Sequence, residues 1–163
     1  MIVSTPPIFR AKPATAQRPS IFLAGSIEMG KAADWQNALI NKIGKNFSIA
    51  FNPRRADFDP AWGNTIEDEN FNVQVAWELE MIRRADVVAF YFQPGTISPI
   101  TLMELGIVAA SKPKSAFVCC PDGYARKGNV DIVCETFGLR TYPTFDKLVE
   151  TLMSPGIPYG TFA

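Results

Sequence analysis

Apolar residues along the chain cluster into five short runs rich in β-branched and aromatic side chains: 20-SIFLA-24, 47-FSIAF-51, 86-DVVAFYF-92, 115-SAFVCC-120 and the weaker 138-GLRTY-142. Helical patterns lie between them. Over 32–44, Trp35, Leu39, Ile40 and Ile43 recur at helical spacing, and over 67–84 Phe71, Val75, Leu79 and Ile82 do the same. The stretch 98-SPITLMELGIVAAS-111 reads as a third helix, with Ser98 as N-cap and Pro99 at its first position. A short fourth helix is expected over 129–136, and 144-TFDKLVETLM-153 is an amphipathic fifth. Strands that alternate with helices, and that show no clean in-and-out alternation themselves, predict a parallel sheet covered on both faces. The expected fold is a doubly wound, five-stranded α/β domain over 20–153, flavodoxin-like or Rossmann-like, with helices on both faces. Residues 1–19, which carry three prolines before Pro19, read as a flexible tail, and the turn-rich 154–163 as a second tail. In such a fold ligands gather beyond the carboxyl ends of the strands, which singles out loops 25–30, 52–64, 93–98 and 121–129.

Composition narrows the chemistry. A chain of 163 residues with 47% hydrophobic and 20% charged residues and zero formal net charge is one globular domain's worth, with no basic patch to hold a nucleic-acid polymer. No run of about 18 apolar residues is present, so no membrane span is expected. The three cysteines, Cys119, Cys120 and Cys134, fit neither a disulfide framework nor a metal-ligand spacing and read as reduced core residues of a cytoplasmic protein. Histidine is absent altogether, which removes the commonest general base and metal ligand. Any catalysis therefore leans on carboxylates, and no metal or cofactor is expected.

Glu104 is the carboxylate that stands out, because it interrupts a helix apolar on nearly every side, where a buried charge is costly unless something stabilises it. Its place in the second turn lets the helix dipole favour the ionised form. It can serve as a nucleophile at the ligand edge or as half of a structural ion pair. In 77-WELEMIRRAD-86, Glu78 lies beside the apolar stripe and can supply a second carboxylate. Glu80 lies toward solvent, Arg83 and Arg84 suit the last turn of a helix, and Asp86 reads as structural.

The string 25-GSIEMGKA-32 follows a strand and matches a phosphate-cradling loop up to its last position, where Ala32 replaces the Ser or Thr that would hold magnesium. Glu28 adds a negative charge where phosphates would lie. What remains is that Gly25 and Ser26 let a small ligand approach the backbone. In 52-NPRRADFDPAW-62, Asn52, Arg54, Arg55 and Asp57 offer polar contacts, the arginines suit phosphates or carboxylates, and Trp62 or Phe58 can stack on a planar base. A solvated turn is the alternative there.

These pieces, in their order and spacing, resemble the nucleoside 2-deoxyribosyltransferase family from about Ser20 to Gly138. The pieces are 23-LAGS-26, 52-NPRR-55, 78-ELEMIRRADVVAFYF-92, 103-MELGIVAAS-111 and a strand ending 119-CCPDG-123. The block around MELG is the most specific. The resemblance implies a retaining double displacement at the anomeric carbon of a 2-deoxyribonucleoside, with Glu104 matching the nucleophile and Glu78 an aspartate that handles protons on the departing base. Ser98 stands where many members have an aspartate that holds base or sugar; it can hydrogen-bond but cannot act as an acid or base. Asn129 matches an asparagine that a neighbouring subunit lends to the sugar hydroxyl, which implies a homo-oligomer with sites completed across the interface. Some members also use their C-terminal carboxylate across the interface, but the tail that ends at Ala163 does not match theirs clearly. The expected partners are deoxynucleosides and free nucleobases. An N-glycosidase, in which water replaces the second base, would use the same carboxylates, Arg54, Arg55 and Lys31 leave a 5′-phosphate substrate open, and a non-catalytic nucleotide-binding module is the third reading.

Overall fold

The apolar runs form one sheet in which every neighbouring pair of strands is parallel. A computed structural model describes residues 1–111 and 115–155 of the chain. In chain order the strands are β1 (Ile2–Ser4), β2 (Ser20–Gly25), β3 (Ile49–Phe51), β4 (Val87–Tyr91), β5 (Ser115–Cys119) and β6 (Arg140–Tyr142), arranged β1-β3-β2-β4-β5-β6. The helices are α1 (Trp35–Ile43), α2 (Glu69–Arg84), α3 (Pro99–Ala110), α4 (Lys127–Phe137) and α5 (Phe145–Met153).

The doubly wound class matches the expectation, but the sheet has six strands rather than five. The additional strand, β1, lies in the stretch read as a flexible tail. It pairs with β3 in the register Ile2↔Ile49, and the Ser4 carbonyl accepts the Asn52 N–H at 2.9 Å. Further along the same segment the Ile8 carbonyl accepts the Trp77 indole N–H at 2.8 Å, and Lys12 meets the Asp86 carboxylate at 2.9 Å. A three-residue strand has no periodicity to reveal it; the unpaired edge of β3 supplies the hydrogen bonds that order it.

Two apolar layers flank the sheet. On one face Trp77, Met81 and Ile82 of α2, Leu105 and Val108 of α3, and Val130 and Cys134 of α4 pack on Phe22, Phe51, Phe90 and Val118. On the other, Trp35, Leu39 and Ile43 of α1 and Leu148, Val149 and Leu152 of α5 cover Ile21, Leu23, Ala89 and Phe117. The stripe of α1 falls where its spacing predicted. That of α2 is turned: Gln74, Trp77, Met81 and Ile82 are buried, whereas Leu79 is 41% exposed. Trp77 sets this rotation, its ring 6.2 Å from Phe22 and 6.4 Å from Phe51, because burying the largest apolar side chain outweighs burying a leucine.

From β2 the chain crosses to α1 on one face, and from β4 to α3 on the other, so the crossovers diverge between two adjacent strands. That divergence opens a crevice at the carboxyl ends of β2 and β4. Gly25 closes β2 there because a Cβ would lie 2.5 Å from the Trp35 ring and 2.5 Å from the Tyr91 carbonyl oxygen. The space over Gly25 is thus filled by Trp35, whose indole N–H donates to the Ser26 carbonyl at 3.1 Å. Of the predicted tail 154–163, residues 156–163, with Ala163, lie outside the described residues.

Candidate active site

Three hydroxyls meet at the crevice. Ser26 Oγ lies 2.8 Å from Thr96 Oγ1 and 2.6 Å from Ser98 Oγ, the latter two are 3.0 Å apart, and Thr96 also donates to the Gln93 carbonyl at 2.7 Å. Only three hydroxyl protons are shared among those contacts and a further approach of Ser98 Oγ to Glu28 Oε1 at 3.4 Å, so every one of them has an acceptor within the site. The Gln93 N–H donates to Ser26 Oγ at 3.0 Å, and the Tyr124 hydroxyl to the Ile97 carbonyl at 2.7 Å, which fixes the loop between β4 and α3. Ser98 is the N-cap residue of α3, but its backbone is left-handed (φ 43°, ψ 56°) and its side chain does not cap. Glu28 takes that part from the β2–α1 loop: Oε1 accepts the N–H groups of Ile97 at 3.1 Å and Ser98 at 2.9 Å. Glu28 holds a left-handed φ of 49°, rare for a non-glycine residue, to make this reach. The negative charge that the sequence set against a phosphate loop is therefore spent on the start of α3.

Six residues along the chain from Ser98, Glu104 is 5% exposed. Burial drives its carboxyl well above the ordinary carboxylate range, and the carboxyl of Glu78 adds to the rise. The helix field expected to favour ionised Glu104 is thus outweighed by desolvation. Glu78 on α2 is likewise pushed up to about 7 by burial, opposed by a hydrogen bond from Gln74 Nε2 to its Oε1 at 2.7 Å. Glu104 is buried and Glu78 partly buried, and because the two carboxyls bear on one another, ionising one raises the cost of ionising the other. Glu80, two residues on, turns outward to Arg83 and Arg84, with its carboxyl held down to about 2 by those hydrogen bonds. Asp86 accepts from the Ser20 N–H, the Ser20 hydroxyl and Lys12, a structural tie between the starts of β2 and β4.

The loop after β3 uses its own polar groups. Asn52 Oδ1 accepts the Arg54 N–H at 3.0 Å, and the Arg54 guanidinium donates to the carbonyls of Gly30, Ala32 and Ala33. Arg54 therefore laces this loop to the one after β2. Arg55 grips Asp57 with two hydrogen bonds and lies 4.9 Å over the Trp62 ring, which in turn packs edge-on to Phe58 at 5.2 Å. Asn129, on α4, lines a groove of about 360 Å³ with Leu102, Leu105, Gly106, Arg126 and Val133. Neither glutamate lines that groove.

The structure thus joins Ser26 with Ser98, Asn52 with Arg54, and Arg55 with Asp57 and Trp62, sets the Glu78 carboxyl within electrostatic reach of Glu104, and places Asn129 on the α4 groove. Thr96 and Gln74 escaped the sequence reading. Thr96 gives no sequence signal, but Gln74 stands four residues before Glu78, a spacing that puts both on one helix face. Among the described residues no group of three His, Cys, Asp or Glu side chains is placed to hold a metal ion, and no helix is long and apolar enough to cross a membrane.

A family described as nucleoside 2-deoxyribosyltransferase like matches residues 18–124, the span that contains β2 through β5 and both glutamates. The chain belongs to that family. Among solved structures, a conserved protein from Enterococcus faecalis shares the fold: TM-score 0.59, 15% identity, covering 83% of this chain and 97% of that one. No curated protein matches.

Proposed function

We propose that the protein exchanges the nucleobase of a 2′-deoxyribonucleoside through a covalent deoxyribosyl-Glu104 intermediate. The observation that supports it most directly is that Glu104, buried on α3, and Glu78, partly buried on α2, carry carboxyls that bear on one another in a member of this family. In the reactive protonation state Glu104 is ionised and Glu78 carries the pair's proton. A Glu104 oxygen attacks the anomeric carbon, the C–N bond breaks, its electron pair passes to the base nitrogen, and the Glu78 proton follows it. The incoming base then attacks the same carbon, the Glu104 ester bond breaks, and Glu78 takes back the proton. Two inversions give retention. The proton that burial favours on Glu104 in the empty site moves to Glu78 once a sugar with oxocarbenium character faces Glu104, because that positive charge stabilises the carboxylate.

The loop of Arg55, Asp57 and Trp62 is assigned to the base, with Gly25, Ser26, Asn52, Arg54 and Ser98 shaping the crevice. With Arg54 spent on carbonyls and Arg55 on Asp57, the unphosphorylated nucleoside is the substrate form favoured over a 5′-monophosphate. The protein is assigned to nucleoside salvage in the cytoplasm, in keeping with three free buried cysteines. Asn129, on a groove that neither glutamate lines, would serve a neighbour's site in a homo-oligomer. The apolar stripe of Ile100, Met103 and Ile107, each at least 39% exposed on α3, supports self-association, which sedimentation would read.

The test is chromatography of purified protein with deoxyinosine, with and without free adenine or cytosine, beside Glu104→Gln. A new deoxynucleoside formed by wild type only, and only with added base, is the expected result. Free hypoxanthine alone would replace transfer by hydrolysis. No turnover of any deoxynucleoside or 5′-monophosphate would leave a binding module.

A further inference from the structure

Gln74 is a buried amide, 6% exposed, whose nitrogen is fully committed. Nε2 donates to the Pro53 carbonyl at 3.1 Å and to Glu78 Oε1 at 2.7 Å, so both of its protons are used. The orientation of the amide follows from Pro53: its carbonyl can only accept, and turning Oε1 toward it would set two acceptors against each other. Oε1 must therefore face the other way, and there it is buried with no partner among the described residues. A fold keeps an orphaned buried oxygen where the rest of the group has a task. Because Oε1 of Glu78 already accepts a proton from Gln74, a proton belonging to Glu78 itself is directed to the other oxygen.

We propose that Gln74 is the positioning residue of the site, locking the Glu78 carboxyl so that Oε2 alone carries and exchanges its acid proton. The use of that proton on a nucleobase rests on the base-exchange reading; its assignment to Oε2 does not. The groups that bear on Glu78 are Gln74 on its own helix, the Pro53 carbonyl behind Gln74, and the Glu104 carboxyl from α3, while Glu80 points away to its arginines. Removing the donor takes away an interaction that favours the charged form, so the carboxyl should hold its proton to higher pH.

The test uses the full chain, carbon-13 labelled at glutamate carboxyls and nitrogen-15 labelled at glutamine amides. In wild type, the Gln74 amide signal should move with pH at the same midpoint as the Glu78 carboxyl. In Gln74→Met, of similar volume, that midpoint should rise by about one pH unit, and in Gln74→Glu it should rise further. Kinetically, Gln74→Met should lose about tenfold in kcat with little change in KM, and its alkaline limb should move up with the carboxyl midpoint. A midpoint unmoved in Gln74→Met, or a wild-type Gln74 amide indifferent to the Glu78 titration, overturns the proposal. The wild-type measurement stands even where a variant fails to fold. Titrations as expected in a protein without base exchange would sink the functional reading and leave the proton assignment intact.

Discussion

Replacing Glu78 by Gln should make the protein more stable above neutrality while stopping its chemistry. In the folded chain the Glu78 carboxyl is pushed from its ordinary 4.5 up to about 7 by burial. The unfolded chain releases the proton near the ordinary value, whereas the folded one keeps it until about 7. Between those values the folded state binds the additional proton, so stability is full below the lower one and declines as pH rises through the window. At about 1.4 kcal/mol per pH unit, the decline amounts to about 3 kcal/mol. Gln is neutral at every pH, nearly isosteric, and still accepts from Gln74 through its oxygen. Urea unfolding of wild type and Glu78→Gln at about pH 5 and about pH 8 should show the variant gaining about 2–3 kcal/mol relative to wild type across the interval, or roughly 5–10 °C in Tm. The comparison cancels every other titrating group. If the difference between the two proteins is the same at both pH values, Glu78 is not a desolvated carboxyl, and its part as proton carrier falls with it.

Glu104→Gln should likewise unfold at higher temperature than wild type at neutral pH, because its carboxyl is also raised by burial, and should lose at least about a thousandfold in base exchange; a variant that stays active removes the nucleophile. Gly25→Ala should cost about 1–3 kcal/mol in urea unfolding, since its Cβ would lie 2.5 Å from both Trp35 and the Tyr91 carbonyl, and wild-type stability would show that Trp35 yields. Gln36 on α1 is fully buried with neither amide atom partnered among the described residues, so Gln36→Met should raise stability by about 1 kcal/mol; a loss would mean that an internal water satisfies the amide.

The fold was legible because its strands are dense in Val, Ile and Phe and are separated by helices of ordinary length, so period and alternation agree. Where the signal was short or shared, it failed. Ile2–Ser4 is too brief to show a period, and α2 offers two apolar stripes that only the packing of Trp77 on Phe22 and Phe51 decides between. Glu104 announced itself by being a charge in an apolar helix. Arg54 did not announce its task, because carbonyl groups, which every residue has, leave no trace in a sequence; the three at Gly30, Ala32 and Ala33 became its partners only once the loops met. Gln74 was overlooked because a glutamine one turn from a glutamate reads as an ordinary solvated pair until packing buries the amide and half-buries the carboxyl.

The first dozen residues bear on how this protein should be handled. They reach the helix that carries Glu78 through the Ile8 carbonyl on Trp77, and the start of β4 through Lys12 on Asp86. A shortened clone that begins near Pro13, or a bulky fusion joined directly to Met1, would strip or crowd those anchors and loosen the mounting of a proton carrier far along the chain. An inactive preparation of that kind would say nothing about the chemistry of the intact protein.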